Sequence, residues 1–555
     1  MKRLLIVATA ALFTGLAVWF FFGSMLDFFG GSKLTVIAAK SPKSAVCVAA
    51  LTETNSVIRE THDLLSLLAD LDDSFKSNFR QVKRELRSVL GSDIFEQGGV
   101  QAASDLGLNL NEPVGFTLLE LDYDDGPKGV VFNASVRDSE KIEFAINRIA
   151  EKKKWVVEED ERDGQLFWEV RESLGCAATI LDGKLYVLFG NKSEDYVSDL
   201  ESHLKECKIR PISEMRQYKK TVPNLPGSGA LSVFVNLQSI IDSLPMDETP
   251  PLLLDLAGLA IEGNANEISA ALLLAENSKI RDFMVTGTSC RDFLAKTERP
   301  IGMVCCSLSE PFEFFRYLSE NTDKHSSGFE DETLEDAFGL NFDELCDLYS
   351  DGATGILTYP PGKDGNPKFM TFIKTNDREV ALSVAEKFGP SGERLRKNEF
   401  GKNVIWSYEF EYSGSFCRGV VGDYIVLGDA EKQILNLARG ECDGWEPICG
   451  GKQLASAELF GNDLLEMMSE RFSGIAPRNA LATAKEFFGD DIHLRAELNF
   501  QSGIAIVSVK PDGADFGKGA CRILASLAWA PILDGWFEEE WRNEAAEVKA
   551  AAGGE

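Results

Sequence analysis

The chain has 555 residues, too long for one ordinary hydrophobic core, and the length corresponds to roughly three or four domain-sized pieces. With 44% hydrophobic and 26% charged residues it has the composition of a folded protein, not a disordered one. A net charge of −31, from 88 acidic against 57 basic side chains, argues against nucleic acid, whose phosphates need Lys and Arg, and against docking on anionic lipid.

Lys2 and Arg3 precede an uncharged stretch from Leu4 to Leu26, which Asp27 ends. About 20 apolar residues span hydrocarbon as a helix, and the basic pair keeps the start cytoplasmic. Cleavable signals have shorter apolar regions and a small-x-small site beyond them. Here Phe20-Phe21-Phe22-Gly23-Ser24-Met25-Leu26 has no Ala-x-Ala, and no Cys follows for lipidation. The expectation is an uncleaved inner-membrane anchor over residues 1–32, with the bulk in the periplasm. Secretion after signal cleavage is the alternative.

The next segment, 33–226, opens with an apolar strand around Cys47 (AVCVAALTET). Leu64, Leu68, Leu71, Phe75, Phe79, Val82, Leu86 and Val89 then mark one face of a helix of about seven turns, stopped by Gly91. Leu106-Gly107-Leu108-Asn109-Leu110 follows. Asp122-x-Asp124-x-Gly126 resembles the start of a calcium loop, but Asn133 stands where the bidentate Glu belongs, so a hairpin turn is the better reading. A strand from Val131 to Val136 leads through Asp138 into a helix with Ile142, Ile146 and Ile149 inward. After Gly164 comes a strand ending at Trp168. A hairpin from Cys176 then turns at Asp182-Gly183 into Leu185–Phe189, and the next helix is capped by Ser193.

Val222-Pro223-Asn224-Leu225-Pro226-Gly227 is a linker. Beyond it, 227–298 reads as strand then helix (Ser232 to Leu244). A hairpin closes the piece, with Leu259-Ala260-Ile261, a Gly263-Asn264 turn and Ile268–Leu274.

After Glu298-Arg299-Pro300 the pattern starts again, so the chain reads as a tandem duplication. GMVCCSLSEP answers AVCVAALTET, and Phe338-Gly339-Leu340-Asn341-Phe342 answers Leu106–Leu110. Phe369–Ile373 leads into Asn376, with Glu379 as a capping box, and a helix with Val380, Val384 and Phe388 inward. Gly401 and Trp406 match Gly164 and Trp168. Cys417 matches Cys176, each Cys opening a strand. Gly422-Asp423 turns into Tyr424–Leu427, and Asp429 caps the helix that follows. The second copy divides into 299–450 and 451–545, the latter with Ala455–Met468 and a hairpin of His493–Phe500 and Ile504–Val509; 546–555 is a disordered tail. Alternation on a period of two predicts antiparallel sheets with one covered and one wet face, helices on one side, an α+β architecture.

The chemistry-bearing residues make no site. His62, His203, His325 and His493 are the four histidines, and no two stand at metal-ligand spacing. Gly-x-Ser-x-Gly is absent, and phosphate-loop patterns fail at Gly513–Lys518 and at Gly451-Lys452. The eleven cysteines are odd in number and irregularly spaced, which is no disulfide scaffold. Cys47, Cys305 and Cys306 read as buried thiols. Cys442 and Cys449, in a Gly-rich loop, are the best disulfide candidates. No catalytic residue, metal ligand or cofactor is assigned.

The order of strand into helix, Leu-Gly-Leu-Asn-Leu, strand–Asp–helix and the Asp-Gly hairpin before a last helix resembles bacterial exported proteins of the domain of unknown function 3352 family, over residues of about 40 to 510. That resemblance implies an envelope location and brings no activity or catalytic residue. The leading expectation is a non-enzymatic envelope protein whose partner is a protein or an apolar ligand. A carrier of hydrophobic molecules in a sheet–helix cavity and a hydrolase with an unrecognised site are the alternatives.

Overall fold

The computed structural model describes residues 34–51, 80, 84 and 104–512, with gaps at 120, 123–125, 128, 171–174, 191–194, 226–230, 245–250, 265–266, 323–352, 361–366, 388–394, 411–413, 446, 448–452 and 461–492. The expected anchor, Phe338–Phe342, Ser193, Cys449 and the tail lie outside the described residues. Of the expected long helix only Arg80 and Arg84 are described, both helical and exposed. Among the described residues no helix is long and apolar enough to cross a membrane.

The strands are β1 Cys47–Leu51, β2 Val114–Leu118, β3 Leu121–Asp122, β4 Gly126–Pro127, β5 Gly129–Ser135, β6 Val157–Arg162, β7 Gln165–Val170, β8 Cys176–Leu181, β9 Lys184–Gly190, β10 Leu231–Val235, β11 Leu256–Asn264 and β12 Glu267–Leu274. They continue as β13 Gly302–Cys306, β14 Thr354–Tyr359, β15 Lys368–Lys374, β16 Leu395–Phe400, β17 Asn403–Phe410, β18 Gly414–Val421, β19 Tyr424–Gly428, β20 Ala455–Phe460, β21 His493–Gln501 and β22 Ile504–Asp512. Strands β3 and β4 pair antiparallel, with Asp122 opposite Gly126, and Asp124 of the calcium-like motif lies outside the described residues.

The other twenty strands form one antiparallel sheet. From one edge to the middle the order is β6-β7-β8-β9-β5-β2-β1-β10-β11-β12. From the middle to the other edge it is β22-β21-β20-β13-β14-β15-β19-β18-β17-β16. The halves meet where β12 pairs with β22, from Ile268↔Val509 to Leu273↔Ile504. Both hairpins beside this seam close the same way, Asn264↔Glu267 and Gln501↔Ile504. Counted from those turns, Ala270 and Val507 hold the same place, and they face each other.

The turns follow their residues. Asp163-Gly164, Asp182-Gly183 and Ser502-Gly503 have positive φ at both positions, the type I′ pattern that matches strand twist. Gly263 and Asn264, expected as a turn, are instead paired strand residues opposite Ile268 and Glu267. The outer edges β6 and β16 read VEEDER and LRKNEF, and charge at an edge discourages further strand addition.

Helices cover both faces of the sheet, not one. In the first half Ser139–Lys153 packs Ile142 on Trp168, Ala178 and Leu185, while Tyr196–Ile209 packs Val197, Leu200 and Leu204 on Phe167, Ala177 and Leu188 of the opposite face. In the second half Arg378–Lys387 packs Ala381, Val384 and Ala385 on Trp406 and Val420, while Glu431–Arg439 packs Ile434 and Leu437 with Ile405 and Val426. With both faces covered, neighbouring strand residues are buried together, as in β1, all five of whose residues are inside.

Three helix starts differ in detail from the sequence expectation. Asp138 does cap its helix, accepting from the Lys141 amide at 3.3 Å. The next helix is capped by Asp195, through Ser198 N at 2.8 Å. In the second half Asp377, not Asn376, accepts from the Glu379 and Val380 amides at 2.8 and 3.1 Å. That one-residue shift leaves Val380, expected inside, 43% exposed and buries Ala381 in its place. Asp429 caps no helix. Ala430 is the cap residue, and the Asp429 carboxylate accepts from Phe369 N at 2.8 Å on the neighbouring strand. Cys417 likewise lies within β18, which begins at Gly414, although Cys176 does open β8.

Candidate functional site

Directly paired residues of an antiparallel sheet point to the same side. Across the six central strands one such row reads Ser232, Glu262, Ser269, Ser508, Glu497, Ser456. It is a polar line of the same composition from either end. Ser269 and Ser508 face each other at the seam with their hydroxyls 3.4 Å apart, and Ser269 also donates to Glu267 at 2.7 Å. The strands here alternate as the sequence predicts, but the polar face is not wet. Glu262 is 1% exposed and Glu458 2%. On that same face Phe234, Ala260, Ala271 and Ile504 join a core closed by Leu34, Ile37 and Tyr218.

Two places along from the row the halves differ. Phe234 faces Ala260 in the first half, where Glu458 faces Arg495 in the second. Next to Glu458, His493 Nε2 stands 3.5 Å from the carboxylate. The His493 ring stacks on Phe460 at 4.6 Å, and the Arg299 guanidinium lies over that same ring at 4.1 Å. Trp445 meets Phe460 edge-on and donates from Nε1 to Thr297 Oγ1 at 3.2 Å. Glu458, His493 and Arg495 thus lie together on this face in the second half. Arg495 faces the buried Glu458 in the strand register, a position from which a cation can offset part of the carboxylate's desolvation. Glu262 and Glu497, three strand spacings apart, are separated by about 14 Å, beyond the ~5–9.5 Å over which two carboxylates share acid–base work on a glycosidic bond.

Sequence reasoning placed these positions on a solvent face and passed over them. The available signal was a polar residue at every second position, Ser456 and Glu458 in β20 and His493, Arg495 and Glu497 in β21, beside residues that had to be core.

Two further buried polar side chains stand apart from this row. His203, on the inward side of its helix, has no partner for either ring nitrogen, and burial pushes its pKa down to about 4. Arg418, 2% exposed on β18, donates from Nη2 to the Glu386 carbonyl at 2.7 Å, while its Nε and Nη1 have no partner. Of the expected disulfide pair, Cys442 is half-buried against the second-half core, with its thiol pushed up to about 11, chiefly by burial. Cys47, Cys305 and Cys306 are buried, as expected, with Cys305 and Cys306 in separate core clusters. Among the described residues no group of three His, Cys, Asp or Glu could hold a metal ion.

No family model, no curated protein and no solved structure matches this chain.

Proposed function

We propose that the chain is a membrane-tethered envelope protein whose duplicated ectodomain acts by binding a protein or an apolar ligand and carries out no catalysis. The observation that carries the reading is the strand order, which runs through ten strands to β12 and then through ten corresponding strands from β22 to the far edge. Two similar units joined edge to edge by main-chain hydrogen bonds make one continuous scaffold, with charged strands at both ends. Such a scaffold suits the display of a surface, as stacked repeats do. The uncharged run from Leu4 to Leu26 behind Lys2 and Arg3 supports the tether. The resemblance to the exported family of unknown function 3352 points the same way.

Protease added to spheroplasts tests the tether. The expected outcome is digestion of the bulk from outside and retention in the membrane after an alkaline wash. Full protection, or release by the wash, overturns it.

One observation favours a catalytic alternative, the Glu458–His493–Arg495 cluster, which among the described residues only the second half carries. Its test is Glu458→Gln. An ion-pair role predicts loss of stability alone, whereas a hydrolase would lose turnover of its substrate with folding intact.

A further inference from the structure

The segment between the two halves runs back along the first strand of the second. Gly287 N donates to the Ser307 carbonyl at 2.6 Å, Ser309 N donates to the Val285 carbonyl at 2.8 Å, and Thr286 bridges Leu308. This fixes where Cys290, at the start of the Arg291–Leu294 helix, must fall. Its sulfur lies 3.4 Å from the Cys306 carbonyl, 3.6 Å from the Thr354 carbonyl and 3.6 Å from Ser307 Oγ. Residues two apart in extended chain share a face. A sulfur that touches the Ser307 hydroxyl is therefore on the Cys305 side of β13, and Cys290 and Cys305 are buried in the same core cluster. Cys306, next in sequence, turns the other way into a separate cluster with Leu308 and Leu454.

We propose that Cys290 and Cys305 are a disulfide-forming pair, and that their oxidation staples the Arg291–Leu294 helix to β13. The helix is worth holding, because Phe293 stacks on Phe372 at 4.3 Å and meets the tilted Tyr424 ring at 4.5 Å in the middle of the second-half core. Cys290, on the short segment that leads into the Arg291–Leu294 helix rather than within the sheet, is taken as the first to react. Its thiolate displaces one thiol from a small-molecule or protein disulfide, giving a mixed disulfide. The Cys305 thiolate then attacks the Cys290 sulfur and releases the second thiol. Two electrons pass to the oxidant, which leaves as two thiols carrying the two protons the cysteines gave up. Cys290 and Cys305 are 0% and 1% exposed, so an oxidant reaches them only while the segment is open.

The test uses the full-length chain in detergent, incubated with oxidised glutathione at a denaturant concentration below the unfolding midpoint, then denatured, alkylated and mapped by mass spectrometry. The expected result is a peptide pair joined through Cys290 and Cys305, two hydrogens lighter than the reduced pair, with neither residue alkylated. Reductant should restore both thiols and lower the melting midpoint, and Cys290→Ser should leave Cys305 alkylated and abolish the midpoint shift. Recovery of both residues alkylated, or of Cys305 joined to Cys306 or to glutathione, overturns the pairing. None of these outcomes depends on where the protein resides in the cell.

Discussion

His203 is the residue whose titration the fold opposes most plainly. It is buried on the inward side of its helix with both nitrogens unpartnered and its pKa pushed down to about 4, while the unfolded chain has the ordinary value near 6.5. Between those values the unfolded state binds the extra proton. Stability is therefore complete above about pH 6.5 and declines as pH falls towards 4, by on the order of 3 kcal/mol. Denaturation midpoints measured from pH 7.5 to 4 should show this slope in the wild type, and His203→Leu should flatten it. Gly355 presents a steric constraint of similar size. A Cβ there would lie 2.6 Å from the Val304 carbonyl and 2.7 Å from the Phe372 ring, whereas at Gly302 the nearest atom is Leu459 Cδ1 at 3.4 Å. Gly355→Ala should cost roughly 1–3 kcal/mol and Gly302→Ala distinctly less, read from chemical denaturation. Neither position was legible in the sequence. A buried histidine and an exposed one are the same letter, and a strand glycine declares its role only when the facing side chain is known.

At the scale of elements the sequence was far more legible, because local chemistry decides local structure. Asp138 caps its helix, the Asp-Gly pairs turn hairpins, and Trp168 and Trp406 lie in strands under helices, all within reach of their neighbours in the chain. What slipped were positions that two residues could fill. Asn376 and Asp377 both suit a helix start, and the carboxylate won. Asp429 has the right place and chemistry for a cap, yet the amide of Phe369 on the adjacent strand claims it, with Lys368 Nζ 3.5 Å away. The difference is testable. Asp429→Asn should cost about 1 kcal/mol by weakening a charge-assisted hydrogen bond to β15 and should leave the Glu431–Arg439 helix intact. Asp195→Ala, which removes a true cap, should cost a similar ~1 kcal/mol and fray the first turn of Tyr196–Ile209. Hydrogen exchange at the affected amides distinguishes the two. The polar residues of β20 to β22 misled for another reason. Alternation tells which residues share a face but not what lies against it.

For the whole molecule, the seam between β12 and β22 lay beyond sequence reading, since no local pattern announces a partner that far along the chain. Its importance is measurable. Ala271, fully buried, faces Ile506 across the seam. An aspartate there would bury an unpaired charge against β22. Ala271→Asp should divide a single thermal transition into two, one for each half, without reducing the β-sheet content of either. A calorimetric trace that stays single but moves to lower temperature would mean that the halves have no stability apart.

The seam also sets an order of events. A chain made from its N-terminus completes Glu267–Leu274 long before Ile504 exists, and at about 5–20 residues per second the interval is on the order of tens of seconds. Through that interval the Ile268–Leu274 edge has no charge and no neighbour, and it offers an open row of amides and carbonyls to whatever comes by. A second chain at a later stage of synthesis carries the complementary strand. Exchange between the two would satisfy every hydrogen bond of the seam while producing an intertwined dimer. Crowding of nascent chains, more than any weakness of the finished fold, is then what decides whether a polypeptide closes on itself or on its neighbour.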